Sequence, residues 1–179
     1  MWPPNSWLPR LRAWLRPAPG REDSVPGEAR VVLLDGTLSS LEPGHETSIG
    51  LTYKMLHEAG ATCLYYEPGI QWGGVRRAPE VMAGVGTNRQ IRRAYAYLAR
   101  RYAPGDRIYL MGYSRGAYAV RSLSGVLDRV GLLRAEHATE RNIRQVYRHY
   151  EAETPTPAAR RFAELFCHEA APIEMIGVW

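Results

Sequence analysis

The chain is almost without lysine. Its 23 basic residues stand against 18 acidic ones, and Lys54 alone among them is a lysine, so the formal charge of +5 is carried by arginine. Charge this modest, spread along the chain, marks a solvated surface and gives no ground for a nucleic-acid partner. Cysteine is scarce too: Cys63 and Cys167 lie far apart in apolar contexts, with neither Cys-x-x-Cys spacing nor a repeated histidine spacing. That argues against a disulfide framework and a zinc site, and no metal or organic cofactor is called for. The expected localisation is cytoplasmic, with export by a non-Sec route left open. Also missing is any apolar run near the ~20 residues that span a bilayer, and no secretory-type apolar stretch precedes a small-residue cleavage site. With 179 residues, 45% hydrophobic and 23% charged, the chain holds one core. Since many α/β domains need about 200 residues or more, an α/β reading carries the expectation of missing pieces.

Residues 1–30 form a Pro/Trp/Arg-rich N-terminal arm. Pro3, Pro4, Pro9, Pro17, Pro19 and Pro26 break any long element there, while Leu11, Trp14 and Leu15 alternate with Arg10, Arg12 and Arg16 as two amphipathic helical turns. Two readings stand side by side: weak membrane-surface contact through residues 1–16, or a short arm packed on the domain. Residues 31–179 then alternate short apolar runs with helical periods. Val31 to Leu34 reads as a buried strand closed by Asp35-Gly36-Thr37. Thr47 to Ala59 reads as a helix with Leu51, Met55 and Ala59 on one face, stopped by Gly60. Thr62 to Tyr66 is a second strand, and a glycine-rich loop from Gln71 to Gly86 leads into a helix from Asn88 to Tyr102 with Ile91, Ala94, Tyr95 and Leu98 inward. After the turn at residues 103–106 come a third strand to Met111, a helix from Gly116 to Val130, helices at 139–150 and 157–169, and a fourth strand from Ile173 to Trp179. This order predicts an α/β fold with a mostly parallel sheet and helices on both faces. In such sheets reactive groups gather outside the carboxyl ends of the strands.

The strongest motif lies at one such end. Gly112-Tyr113-Ser114-Arg115-Gly116 is a G-x-S-x-G between a strand and a helix. A serine on so sharp a turn needs small neighbours at 112 and 116, and the following helix aims its N-terminal N–H groups at the serine oxygen. An oxyanion there would accept from the Arg115 backbone N–H and from a second donor, Gly36 or Thr37, on the neighbouring strand end, where Asp35 also lies. Asp35-Gly36-Thr37 also resembles the first motif of the haloacid-dehalogenase phosphatases, Asp-x-Asp-Gly-Thr. The nucleophilic aspartate of that motif falls on Leu33 here, which removes the phosphatase reading. Gly84-Val85-Gly86-Thr87-Asn88 before a helix fits a structural helix entry better than an anion nest, because it lacks a Walker lysine.

A serine nucleophile needs a base, and in this kind of site the order is Ser, then Asp or Glu, then His. His137 lies in a polar loop, His149 on a helix, and His168 before the fourth strand, at the opposite edge of the sheet from Ser114; Asp128 and Glu136 are poor triad acids. The motif thus stands without convincing partners.

The run 112–121 (Gly-Tyr-Ser-Arg-Gly-Ala-Tyr-Ala-Val-Arg), preceded by Tyr102-Ala103-Pro104-Gly105-Asp106 and joined by Asp35-Gly36-Thr37, Tyr65-Tyr66-Glu67-Pro68-Gly69 and Ile176-Gly177-Val178-Trp179, resembles an α/β-hydrolase family. That family includes the Tle-type phospholipase effectors of type VI secretion. The resemblance implies an α/β-hydrolase-like domain over residues 31–179, with Ser114 as nucleophile and an ester or lipid acyl ester as substrate. Members continue the Gly-Val-Trp run with an Asp read as the triad acid and place the His further on. The resemblance therefore implies a partial domain, truncated at its C-terminus and inactive alone, whose missing C-terminal segment supplies Asp and His. The rival expectation is a non-catalytic binding module that docks a partner through its exposed last strand.

Overall fold

A computed structural model describes residues 27–37, 39–69, 85–152, 154 and 156–179, together with Pro9. The amphipathic turns of the arm, Gly84 and the glycine-rich loop up to residue 84 lie outside the described residues.

Four strands, β1 (Ala29–Leu34), β2 (Leu64–Glu67), β3 (Arg107–Gly112) and β4 (Ile173–Val178), form a parallel sheet in the order β2-β1-β3-β4. Among the described residues five α-helices accompany them: α1 (Ser48–Glu58), α2 (Val85–Arg101), α3 (Arg115–Arg129), α4 (Glu140–Glu151) and α5 (Pro157–Phe166). From β1 the chain steps outward to β2, then crosses back over β1 to β3. Because parallel crossovers are right-handed, these opposite steps put α1 and α2 on opposite faces. The strand side chains divide accordingly. Val31, Leu33, Tyr109 and Met111 pack with Ile49 and Leu56 of α1. Val32, Leu34, Ile108 and Leu110 pack with Ile91, Ala94, Tyr95 and Leu98 of α2 and with Ala119, Val120 and Leu123 of α3. The fold is α/β with a parallel sheet and helices on both faces.

Local chemistry sets the ends of these elements. Thr47, Thr139 and Thr156 are N-caps, their hydroxyls accepting from Gly50 N (3.0 Å), Asn142 N (3.2 Å) and Ala159 N (3.1 Å), each such cap worth about 1 kcal/mol. The turn before β3 is held by buried Asp106, which accepts from Ala103 N (2.9 Å), Glu28 N (2.8 Å) and Arg30 Nε (2.7 Å) and so ties the amino ends of β1 and β3 together.

Several expectations need correction. On α1 the expected inner residues Leu51 and Met55 are 48% and 38% exposed, while Ile49, Tyr53 and Leu56, spaced i, i+4 and i+7, face the sheet. Both stripes have helical spacing, and the sheet chose the one with the β-branched residue and the ring. The α2 helix starts at Val85, taking Gly86 and Thr87 into its first turn. The last helix stops at Phe166, because Cys167 turns extended and bridges to Leu133. β4 alternates half-buried with exposed residues, Ile176 and Val178 being 43% and 48% exposed.

Candidate active site

The chain leaves β1 and enters β3 on the two sides of one seam, since β2 lies beyond β1 and β4 beyond β3. Such a switch point opens a crevice at the carboxyl ends of the two strands. Leu34 is paired with Gly112 there, so Asp35-Gly36-Thr37 and Tyr113-Ser114 emerge side by side. Tyr113 N donates to Leu34 O at 3.1 Å and Ser114 N to Trp179 O at 2.9 Å.

Ser114 is the one non-glycine residue with positive φ among the described residues, at φ 54 and ψ −119. A backbone so placed costs on the order of 1–3 kcal/mol and persists only where its surroundings dictate it. They do so through two glycines. A Cβ at Gly116 would lie 1.9 Å from Leu34 O, and one at Gly112 would lie 2.3 Å from Gly116 O. The turn is therefore squeezed between β1 and the first turn of α3, where Gly116 N bonds to Tyr113 O (2.8 Å) and Ala117 N to Ser114 O (3.0 Å). The serine is exposed, and its hydroxyl makes no capping hydrogen bond to the helix it precedes. Arg115 is the first residue of α3, so its N–H belongs to the helix N-terminus and its partial positive charge.

Gly36 approaches closely: a Cβ there would lie 2.8 Å from Tyr113 Cδ1 and 3.2 Å from Ser114 Cβ. The Gly36 N–H, however, already has an acceptor. It donates to Asp35 Oδ1 at 2.7 Å. Asp35, 1% exposed, also accepts from the Thr47 hydroxyl (2.8 and 2.7 Å to its two oxygens) and from Tyr66 Oη (2.9 Å). Burial, then the bond to Asp35, push the Tyr66 phenol well above its usual range. Asp35 is thus a clamp that ties the turn after β1 to the N-cap of α1 and to β2. Thr37 lies beside it, with Oγ1 buried and without a partner among the described residues.

Thr47, Tyr66 and Glu67 were not singled out individually from sequence. Glu67 is buried, accepts from Tyr65 Oη at 2.5 Å, ion-pairs with Arg93, and offers its carbonyl to Asp35 N at 3.0 Å. The clustering of Tyr65, Tyr66 and Glu67 at a strand end was the available signal, but only the register of β2 on β1 shows what they hold.

His137, His149 and His168 lie apart from this crevice. His137 sits beside Glu136 (3.8 Å) and Phe166, and His149 bonds to Gln145 (3.0 Å) and packs on Phe162. His168 packs edge-on against Tyr102, 5.0 Å between ring centroids, where α2 hands over to the start of β3. It lies at the opposite end of the strands and not at the opposite edge of the sheet, because β4 adjoins β3. Burial lowers its pKa. A groove of about 570 Å³ beside it, lined by Gly131, Arg134 and Cys167 among others, opens at the far end of α3, roughly 20 Å of helix from Ser114. Burial raises the Cys167 thiol to about 11, which leaves it protonated. Among the described residues no group of three His, Cys, Asp or Glu could hold a metal ion, and no helix is long and apolar enough to cross a membrane.

Residues 29–179 match the family model described as the catalytic domain of Tle1-like phospholipase effectors of type VI secretion. The chain belongs to that family. Lipid-ester hydrolysis is thereby placed at the level of the family. An uncharacterised protein of Saccharomyces cerevisiae is 32% identical over 145 residues, an alignment covering 72% of this chain and 21% of the yeast protein. The chain spans about a fifth of that relative's length. No solved structure matches the chain significantly. In this Tle1-like domain the matched region begins with β1 and includes both sides of the seam, from Asp35 to Ser114.

Proposed function

We propose that Ser114 is the nucleophile of a serine hydrolase acting on carboxylic esters, with lipid acyl esters as the substrate class. The observation that carries this reading is the strained backbone of Ser114, held by Gly112 and Gly116 at the switch point of a chain in a phospholipase family. Ser114 Oγ attacks the ester carbonyl carbon and loses its proton to a base, while the carbonyl π pair moves onto oxygen. The resulting oxyanion accepts from the Arg115 N–H at the start of α3 and from Thr37 N–H across the seam, since Gly36 N–H is held by Asp35. Collapse expels the alcohol and leaves an acyl-serine, which water hydrolyses. The rim of Ser114 suits an acyl chain: Tyr113, Tyr118 and Trp179 are 39%, 64% and 54% exposed.

We assign the base of the triad to none of His137, His149 and His168, which pack against Phe166, Phe162 and Tyr102 away from Ser114. The backbone ladder of β4 runs through Trp179 directly to Ser114 N, which holds the serine turn against the sheet. The test is labelling by a fluorophosphonate probe, applied to this chain and to any longer product of the same reading frame. Label mapped to Ser114 and absent from Ser114→Ala is expected. Label elsewhere, or ester hydrolysis unaffected by Ser114→Ala, refutes the assignment.

One observation favours a second reading, a docking module: β4 is an edge strand with Ile176 and Val178 exposed. Size-exclusion chromatography showing a stable monomer that captures no second strand speaks against it.

A further inference from the structure

The arginines that look dispersed in sequence are gathered by one helix. On α2, Arg89, Arg93 and Arg100 fall on the side away from the inward Ile91, Ala94, Tyr95 and Leu98, with Arg92 and Arg101 on its flanks. With Tyr65, Tyr97 and Glu140 they line a groove of about 550 Å³. The single carboxylate in that lining, Glu140, is bound by Arg144 at 3.1 Å. Arg93 pairs with Glu67, and Arg101 lies over the Tyr97 ring at 5.2 Å. Arg89, Arg92 and Arg100 have no carboxylate partner among the described residues, and Arg92 Nε is buried without any hydrogen-bond partner there. Like charges three and four residues apart weaken a helix. A face of this kind is a cost to the fold that a bound anion removes.

Guanidinium groups recognise phosphate by paired hydrogen bonds. The charged face runs from Arg89 to Arg101, roughly 18 Å of helix, which suits an extended array of phosphates better than a single ion. A single-stranded nucleic acid would in addition need aromatic faces on which bases stack. Here those faces are occupied, because Arg101 covers Tyr97 and the rings of Tyr65 and Tyr97 lie 4.9 Å apart, centroid to centroid. We propose that the arginine face of α2 is a docking surface for the phosphate groups of an anionic phospholipid bilayer. This rests on the lipid-ester reading above and adds to it a surface that presents the substrate. The amino end of α2, with Arg89, lies at the carboxyl end of the sheet, the end that carries Ser114.

The experiment is co-sedimentation of the full chain with phosphatidylcholine vesicles, with and without phosphatidylglycerol, in low and high salt. Binding is expected only with phosphatidylglycerol, and it should weaken as salt rises. The triple variant Arg89→Gln, Arg92→Gln, Arg100→Gln should lower the partition coefficient roughly a hundredfold, at about fivefold per arginine. Replacing the same three with lysine should retain binding, which separates lost charge from lost fold. Binding unchanged in the glutamine variant, no binding to anionic vesicles, or tighter binding to a single-stranded oligonucleotide each overturns the proposal. Fluorophosphonate labelling of Ser114, run on the same samples, keeps the two readings apart: labelling without vesicle binding removes the docking surface alone. Vesicle binding with labelling of Ser114 absent both from this chain and from a longer product of the same reading frame removes the nucleophile and leaves the surface.

Discussion

Replacing Ser114 with glycine should stabilise the protein relative to replacing it with alanine. Both changes remove the hydroxyl, so they differ only in the Cβ. At φ 54 and ψ −119 a residue with a Cβ carries on the order of 1–3 kcal/mol of strain, and glycine relieves it. Against this, glycine loses more backbone freedom on folding, about 0.5–1 kcal/mol. The balance leaves the glycine variant ahead by about 1 kcal/mol, or ~2–4 °C in Tm for a chain of this size. Urea unfolding of the two variants, followed by circular dichroism, reads the difference as a shift in midpoint at equal slope. Neither variant should react with a fluorophosphonate. An alanine variant as stable as the glycine variant, or more so, would refute the reasoning: Ser114 would then hold its conformation without strain, and the glycine-flanked turn would have no need to be enforced.

Asp35→Asn should cost about 2–3 kcal/mol, because the amide NH2 would face one of three donors, Gly36 N–H, Thr47 Oγ1 or Tyr66 Oη, in a buried site; an unchanged denaturation midpoint would show that the clamp holds nothing. His168 carries a pH signature. Burial, with Arg134 next, lowers its pKa in the folded state while Glu136 acts the other way, so the unfolded chain takes the proton first. The stability this contributes is complete above the ordinary histidine pKa of about 6.5 and is lost as pH falls through it towards the folded value. His168→Gln should therefore flatten the loss of stability between about pH 7 and pH 5, as measured by thermal melts across that range; an unaltered slope removes His168 as its source.

The strands, the turn at residues 103–106 and the junction at Ser114 were legible because each rests on neighbours in sequence. Val31 to Leu34 is continuous and apolar, Ala103-Pro104-Gly105-Asp106 has few conformations open to it, and G-x-S-x-G supplies its own two glycines. What was not legible depends on partners remote in sequence. Two stripes on α1 had helical spacing, and only the sheet decides that Ile49 and Leu56 are inside and Leu51 is outside. Asp35 could be placed at a strand end, but its bonds to Thr47 and Tyr66 come from two other elements. The arginines of α2 looked scattered for the same reason, since their common face exists only once Ile91, Ala94, Tyr95 and Leu98 have turned inward.

The seam between β1 and β3 explains why so few residues can make so specific a site. Opposite crossovers require that the two turns leave the sheet side by side, and the sheet spacing then leaves no room for side chains at 36, 112 and 116. That crowding has two consequences. It forces Ser114 into a backbone conformation in which its hydroxyl makes no bond to the helix it precedes, and it brings the turn after β1 against Tyr113 and Ser114. The Gly36 N–H would be nearest, yet Asp35 takes it, and in doing so fixes the direction of the next peptide. In the proposed reaction, closeness comes from Gly36, orientation from Asp35, and the donor itself from Thr37. If Ser114 is the nucleophile as proposed, Asp35 acts on the ester only through that peptide, so its loss should first be felt as stability and as slower acylation of Ser114.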